Sequence, residues 1–243
     1  MIVFDSRGKQ LENGLIQGLS LDFGKKHCIC AVGGGGKTTL IESLALELVK
    51  RHKKVICLTT TKIRRPDYGT VIEEESMELV ESANGIVTVA LPWKDGKMTG
   101  VTKEFQQQLI ERYSIVLIEA DGSKGLPTKI PNDTEPVIPK ETTLVVGIQG
   151  IDAFDEPIYK VCHRKELACN LLQKKEEEKI TLSDMAKIYL SDQGLQKGIG
   201  QARFVPIIQK VDTTKRMEVA KELSDLLKRH GMSNCLITRR IFS

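Results

Sequence analysis

The sequence has no uninterrupted apolar run close to the roughly 20 residues that span a bilayer, so no membrane segment is expected. Behind Met1 the chain meets Asp5 and Arg7 almost at once, and no apolar h-region follows. No secretory signal is therefore expected, and the reading is cytoplasmic. No CxxC pair occurs among the six cysteines at 28, 30, 57, 162, 169 and 235. In a reducing compartment these are expected as free thiols. Cys28, Cys30 and Cys57 read as small core fillers on strands. Cys162, His163 and Cys169 can be read as part of a metal cluster, but the second pair that such a site needs is missing. A concentrated basic stripe is absent as well. The 36 basic side chains outnumber the 32 acidic ones for a net charge of +4, but they are scattered, so no nucleic-acid partner is inferred. Linker composition and internal repeats are lacking, and residues 1–243 read as a single domain.

What is present is an ordinary globular composition, 40% hydrophobic and 28% charged, in a chain long enough for a full α/β core. Short apolar runs predict strands at 27–32, 55–58, 86–91, 114–118, 143–148, 204–208 and 234–237. Leu40, Ile41, Leu44, Leu48 and Val49 recur at helical spacing and predict a helix over 38–51. Further helices are predicted at 76–83, 103–113 and 214–230. Residues 152–197 lack strong strands; helices at 163–173 and 182–190 flank a charged connection at 174–179. This alternation predicts an α/β fold: a doubly wound, mostly parallel sheet of the P-loop NTPase type, with a helical insertion near 150–200. Ligands in such sheets bind at the carboxyl ends of the strands.

At the end of the first of these strands the chain reads Ala31-Val32-Gly33-Gly34-Gly35-Gly36-Lys37-Thr38-Thr39. This matches the phosphate-loop spacing G-x-x-x-x-G-K-[ST], with Ala31 in the first glycine position. Glycines let successive N–H groups turn inward, and the positive end of the following helix holds phosphates. Gly33, Gly34, Gly35, Gly36, Lys37, Thr38 and Thr39 are thus the candidate nucleotide-binding residues. Lys37 can reach the β- and γ-phosphates, and Thr38 can give its hydroxyl to Mg²⁺.

Such a site needs an acidic residue at the end of a neighbouring strand. Glu119 follows the apolar run Ile115-Val116-Leu117-Ile118, and Asp121 stands two residues on, on the same side of an extended chain. Both are candidate magnesium ligands and catalytic carboxylates, the second also an orienter of water. Lys124 can stabilise charge on the γ-phosphate. Thr59, Thr60, Thr61 and Lys62 cap the second predicted strand, at 55–58, where a hydroxyl can sense that phosphate.

Gln209-Lys210-Val211-Asp212 resembles the N-K-x-D motif of GTP-binding proteins, in which the Asp accepts guanine N–H groups and the Lys stem packs on the ring. Lys210 and Asp212 fit; Gln209 stands where that motif has Asn. The motif leans toward GTP and leaves ATP open.

As an ordered set, VGGGGKTT at 32–39, TTTK at 59–62, EADGSKG at 119–125, EPVIP at 135–139, CHR at 162–164 and QKVD at 209–212 resemble the YqeC-type accessory proteins, associated with selenium-dependent molybdenum hydroxylases. The resemblance implies that Glu135, His163 and Arg164 join the site as substrate or partner contacts. It implies an NTPase that assists maturation of such a hydroxylase or insertion of its cofactor, with the hydroxylase or its maturation proteins as partners. Related NTPases also suggest a homodimer. Two alternatives stay open: a kinase acting on a small cofactor-related or selenium-related acceptor, and a nucleotide-binding scaffold without turnover.

Overall fold

The computed structural model describes residues 1–51 and 54–240. In chain order the elements are β1 (Ile2–Phe4), α1 (Gly14–Gly18), β2 (His27–Gly33), α2 (Lys37–Leu48), β3 (Lys54–Thr59), β4 (Ile63–Arg64), β5 (Thr70–Ile72), α3 (Met77–Ser82), β6 (Gly85–Val89), β7 (Leu91–Pro92), β8 (Lys97–Thr99) and α4 (Lys103–Arg112). There follow β9 (Ile115–Glu119), β10 (Thr128–Lys129), β11 (Leu144–Gly150), α5 (Ile158–Val161), β12 (Cys162–His163), α6 (Lys165–Leu172), α7 (Leu182–Leu190), β13 (Arg203–Gln209), α8 (Thr214–Arg229) and β14 (Leu236–Arg239).

Nine strands form one sheet in the order β1-β14-β13-β11-β2-β9-β3-β6-β5. Every neighbouring pair is parallel except β1 with β14. The chain is thus mixed α/β with a large, mostly parallel sheet, as its alternation of strands and helices predicts. Two smaller sheets, β10-β12 and β4-β8-β7, are built from segments of two or three residues. No helix among the described residues is long and apolar enough to cross a membrane.

Side-chain alternation divides the apolar residues between the two faces of the sheet. On β2, Cys28, Cys30 and Val32 enter the core that also holds Leu109, Leu223 and Tyr189. Ile29 and Ala31 enter the opposite core with Leu40, Leu44 and Leu48 of α2. These leucines follow the i, i+4, i+8 spacing that lays one helical stripe on the sheet. Burying each contributes roughly 1.5–3 kcal/mol. That burial anchors α2, and with it the glycine turn that precedes it.

Between β11 and β13 lie α5, α6 and α7. Helix α7 occupies its predicted span because Thr181 and Asp184 form a reciprocal cap at its start. Helix α6 begins at Lys165 rather than at 163, because His163 pairs with Lys129 across β12 and β10. The last strand runs Leu236–Arg239, two residues beyond the predicted 234–237. Its place is set by pairing on both sides: Ile207↔Leu236 with β13, and Ile2↔Arg239 with β1.

Candidate functional site

Strand β2 runs between β11 and β9, so the turn after Gly33 emerges at the carboxyl end of the sheet between two parallel neighbours. A Cβ on Gly33 would lie 2.2 Å from the Ile148 carbonyl oxygen, and one on Gly35 would lie 2.4 Å from the Gly150 nitrogen. Both glycines also have positive φ, 101° and 84°. The backbone of β11 passes too close for any side chain, which is why glycine is needed. The turn is held by amides: Gly34 donates to Ile148 O at 2.9 Å and Gly35 to Leu126 O at 2.9 Å. Gly33 donates to the Asp121 carboxylate at 3.0 Å. Helix α2 then starts with no side chain capping it. Its first-turn N–H groups and its positive dipole end remain available to an anion.

Lys37 opens this helix and is 3% exposed. Its ammonium folds back onto Gly33 O at 2.5 Å and lies 3.1 Å from Asp121 Oδ1. Thr38 donates its hydroxyl to Glu119 Oε2 at 2.9 Å. The register Ala31↔Glu119 sets Glu119 beside the root of the glycine turn. Burial pushes the Glu119 pKa up, helped by the charge on Asp121 and opposed by Lys37 and the Thr38 hydroxyl. A buried carboxylate bonded to a threonine hydroxyl is a hard oxygen donor set, and it fits Mg²⁺.

Asp121, expected beside Glu119 as a metal ligand, is arranged differently. It is 1% exposed, and its oxygens are taken by Gly33 N–H, by Lys37 and by Lys129, whose Nζ lies 3.2 Å from Oδ2. Lys129 is fully buried. It also donates to Gly122 O at 2.6 Å and to Glu135 Oε2 at 2.7 Å. Glu135 in turn holds Arg164 at 2.7 Å. Lys37, Asp121, Lys129, Glu135 and Arg164 therefore form one chain of alternating charge leading away from the glycine turn. Sequence reasoning missed Lys129. The available signal was a lysine set among Leu126, Pro127, Ile130 and Pro131, where an exposed loop would carry more polar residues.

Burial raises the Glu135 pKa, but the Lys129 and Arg164 bonds outweigh it and hold the carboxyl below its ordinary range. His163 is pushed down by burial and by the charges of Arg164, Lys129 and Lys124, which favour the neutral ring. Lys124 itself is exposed. Thr60 N–H donates to Glu119 O at 3.0 Å, which ties the end of β3 to the end of β9. The Thr61 hydroxyl is buried and has no partner among the described residues. Lys62 sits 4.3 Å above the Trp93 ring instead of joining the carboxylates. Among the described residues no three His, Cys, Asp or Glu side chains gather as a metal site. Burial pushes the Cys162 thiol up to about 12, so it stays protonated.

Beside the glycine turn opens a cavity of ≈ 300 Å³, with Gly35, Gly36 and Thr39 on one wall and Gln209, Lys210 and Asp212 on another. Both charged members of the QKVD segment already have partners. Lys210 Nζ lies 2.7 Å from Asp152 Oδ2, and Asp212 Oδ1 accepts from Arg216 at 2.7 Å. The structure thus places the predicted residues in two groups that share the glycine turn: Lys37, Thr38, Thr60, Glu119 and Asp121 on one side, Lys210 and Asp212 on the other.

A family model described as YqeC protein matches residues 29–166. The chain is 29% identical over 214 residues to the "Uncharacterized protein YqeC" of Escherichia coli (strain K12), which covers 84% of each chain. It is also 30% identical over 117 residues to the guanylate kinase of Chlamydia felis (strain Fe/C-56), covering 45% of this chain and 56% of the kinase. The guanylate kinase of Chlamydia caviae is 30% identical over 118 residues, with the same 45% and 56% coverage. No solved structure gives a significant match.

Proposed function

The chain belongs to the YqeC family, and from that premise we propose that it is a P-loop protein that binds a nucleoside triphosphate with Mg²⁺ and hydrolyses it. The observation that carries this reading is the meeting of three features at the carboxyl end of β2: an uncapped helix start, a buried lysine, and a threonine hydroxyl 2.9 Å from a buried glutamate. The α2 amides take the phosphates. Lys37 leaves Gly33 O and Asp121 for the β- and γ-phosphates. Thr38 and Glu119 hold Mg²⁺, which supplies charge neutralisation on the phosphates. Asp121 keeps Lys129 as its counter-charge when Lys37 moves away, and it orients the attacking water. The cavity lined by Gln209, Lys210 and Asp212 takes the base. The resemblance to hydroxylase accessory proteins supports maturation or cofactor insertion of a selenium-dependent molybdenum hydroxylase as the task that turnover serves.

A second reading, phosphoryl transfer to a small acceptor, draws support from the similarity to guanylate kinases and from the ion chain that ends at Arg164. The two readings separate in a phosphate-release assay with GTP or ATP and Mg²⁺, run with and without GMP. Hydrolysis predicts free phosphate without an acceptor, lost in Lys37→Ala and lowered about a hundredfold in Glu119→Gln. Nucleoside diphosphate that appears only with GMP, without free phosphate, supports transfer. Neither product under any condition contradicts turnover.

A further inference from the structure

Two buried polar atoms that line or flank the cavity beside the glycine turn have no partner among the described residues: Gln209 Nε2 and Asp152 Oδ1. Gln209 is 4% exposed. A buried donor or acceptor left unpaired costs roughly 1–3 kcal/mol, so such atoms are seldom retained without a water or ligand to satisfy them, and among the described residues only these two stand beside the glycine-turn cavity. The other charged groups on the QKVD side are engaged. Lys210 is held by Asp152 Oδ2, and Arg216 by Asp212. At this end of the pocket the free oxygens of Asp152 and Asp212 stand as acceptors beside the Gln209 amide N–H as a donor, while Lys210 and Arg216 are held by those same carboxylates.

This inventory can be matched against the two purines. The Watson–Crick edge of guanine presents two adjacent donors, N1–H and the 2-amino group, next to one acceptor, O6. Adenine presents a single amino donor and otherwise ring-nitrogen acceptors. A carboxylate oxygen without a partner next to an amide N–H without a partner, as Asp152 and Gln209 supply among the described residues, complements the donor-donor-acceptor edge of guanine. Adenine would leave a carboxylate oxygen buried and unpaired, and a site built to hydrogen-bond a substrate group rejects the analogue that lacks it.

Building on the nucleotide-binding reading above, we infer that the base pocket selects guanine, and that Asp152 reads its N–H edge while Gln209 donates to O6. Asp152 stands outside the QKVD segment. It reaches the pocket because the 3₁₀ turn Ile151–Ala153 follows β11, whose neighbour β13 carries Gln209 at its end. The register Gly150↔Gln209 brings the two strand ends level. Lys210 fixes Asp152 by one oxygen and leaves the other for the base. Asp212, paired with Arg216, lies on the rim with both partners about 40% exposed, and it assists without deciding selectivity.

The test is competitive binding of a fluorescent GTP analogue against GTP, ITP, XTP and ATP with Mg²⁺, on the wild type and on Asp152→Asn, Asp212→Asn and Gln209→Leu. The wild type should bind GTP at least tenfold more tightly than ITP, which lacks the 2-amino group, and than ATP. Asp152→Asn should lose at least tenfold for GTP and shift toward XTP, whose 2-carbonyl accepts from the new amide. Asp212→Asn should change GTP binding severalfold less than Asp152→Asn does. Gln209→Leu should weaken GTP and ITP alike, because both carry the 6-oxo group. A wild type that binds ATP as well as GTP overturns the inference, and this outcome needs no variant to fold. So does an Asp152→Asn protein with the wild-type melting temperature and an unchanged ranking of nucleotides. A wild type that binds none of the four instead removes the nucleotide reading on which the inference rests.

Discussion

Lys129 and Asp121 form a fully buried ion pair at 3.2 Å, one step behind the lysine that opens α2. A charge so far from water persists only when it is paired and hydrogen-bonded. Lys129 meets that condition through Asp121, Glu135 and Gly122 O, and so it fixes the 121–135 segment against the glycine turn. Lys129→Met should lower unfolding free energy by about 3 kcal/mol, because among the described residues it leaves Lys37 as the one cation on Asp121, beside the Gly33 N–H, and Arg164 as the one cation on Glu135. It should also weaken nucleotide binding, since Lys37 becomes the sole counter-charge of a buried carboxylate. Urea denaturation of the variant checks the first effect and nucleotide titration the second. Wild-type stability would show that the pair is dispensable.

Glu135 gives a prediction about acid. Its folded pKa lies below the ordinary 4.5 because Lys129 and Arg164 outweigh its burial. A depressed carboxylate contributes stability that is present above the unfolded pKa and is lost as pH falls through the folded one. The loss attributable to Glu135 should therefore fall below pH 4.5, and Glu135→Gln should remove that part of the acid sensitivity. Thermal melts of both proteins from pH 7 downward test this. Parallel curves would contradict it.

Glu119 behaves in the opposite sense. Burial raises its pKa above the ordinary 4.5, so at the proposed Mg²⁺ site protons would compete with the metal at a higher pH than they would at an exposed carboxylate. Mg²⁺-dependent nucleotide affinity should be constant above the raised pKa. Below it, affinity should fall by about tenfold per pH unit, as one proton displaces one metal. Glu119→Gln should bind weakly at every pH and show no such slope. Titrations across the pH range measure it; a wild-type affinity that stays flat down to 4.5 would contradict the assignment.

Much of this architecture is legible in the sequence wherever the apolar pattern is long enough to show a period. The central strands, α2, α4, α7 and α8 all carry such runs. The short strands β1, β5, β10 and β12 do not, because two or three residues cannot display a period of two. Their existence depends on partners distant in sequence, as when Lys129 meets His163. The glycine turn is readable because its pattern is local: glycines, lysine and threonine at fixed offsets. Asp121 and Lys129 are not, since a carboxylate two residues past a strand and a loop lysine each read as solvent-facing or metal-facing until the fold buries them together. Asp152 is hidden for a related reason: only the register of β11 against β13 brings it level with Gln209.

The turn itself makes a structural prediction. Gly35 has φ +84°, and a Cβ there would meet Gly150 N at 2.4 Å. Gly35→Ala should cost roughly 1–3 kcal/mol through the strained backbone and the displaced β11 end. It should weaken nucleotide binding far more than a substitution at exposed Lys124. Chemical denaturation and titration of the two variants side by side provide the comparison; equal behaviour would show that the turn tolerates a side chain.

The most direct measurement is a calorimetric titration of the whole protein with GTP and with ATP, in Mg²⁺ and in EDTA, beside Lys37→Ala and Thr38→Val. The expected result is saturable one-site binding of a triphosphate. It should be lost in Lys37→Ala, and in Thr38→Val it should persist with its dependence on Mg²⁺ removed. A folded wild-type protein that takes up neither nucleotide, or a Lys37→Ala protein that binds as well as the wild type, would contradict the assignment of the glycine turn as a phosphate site.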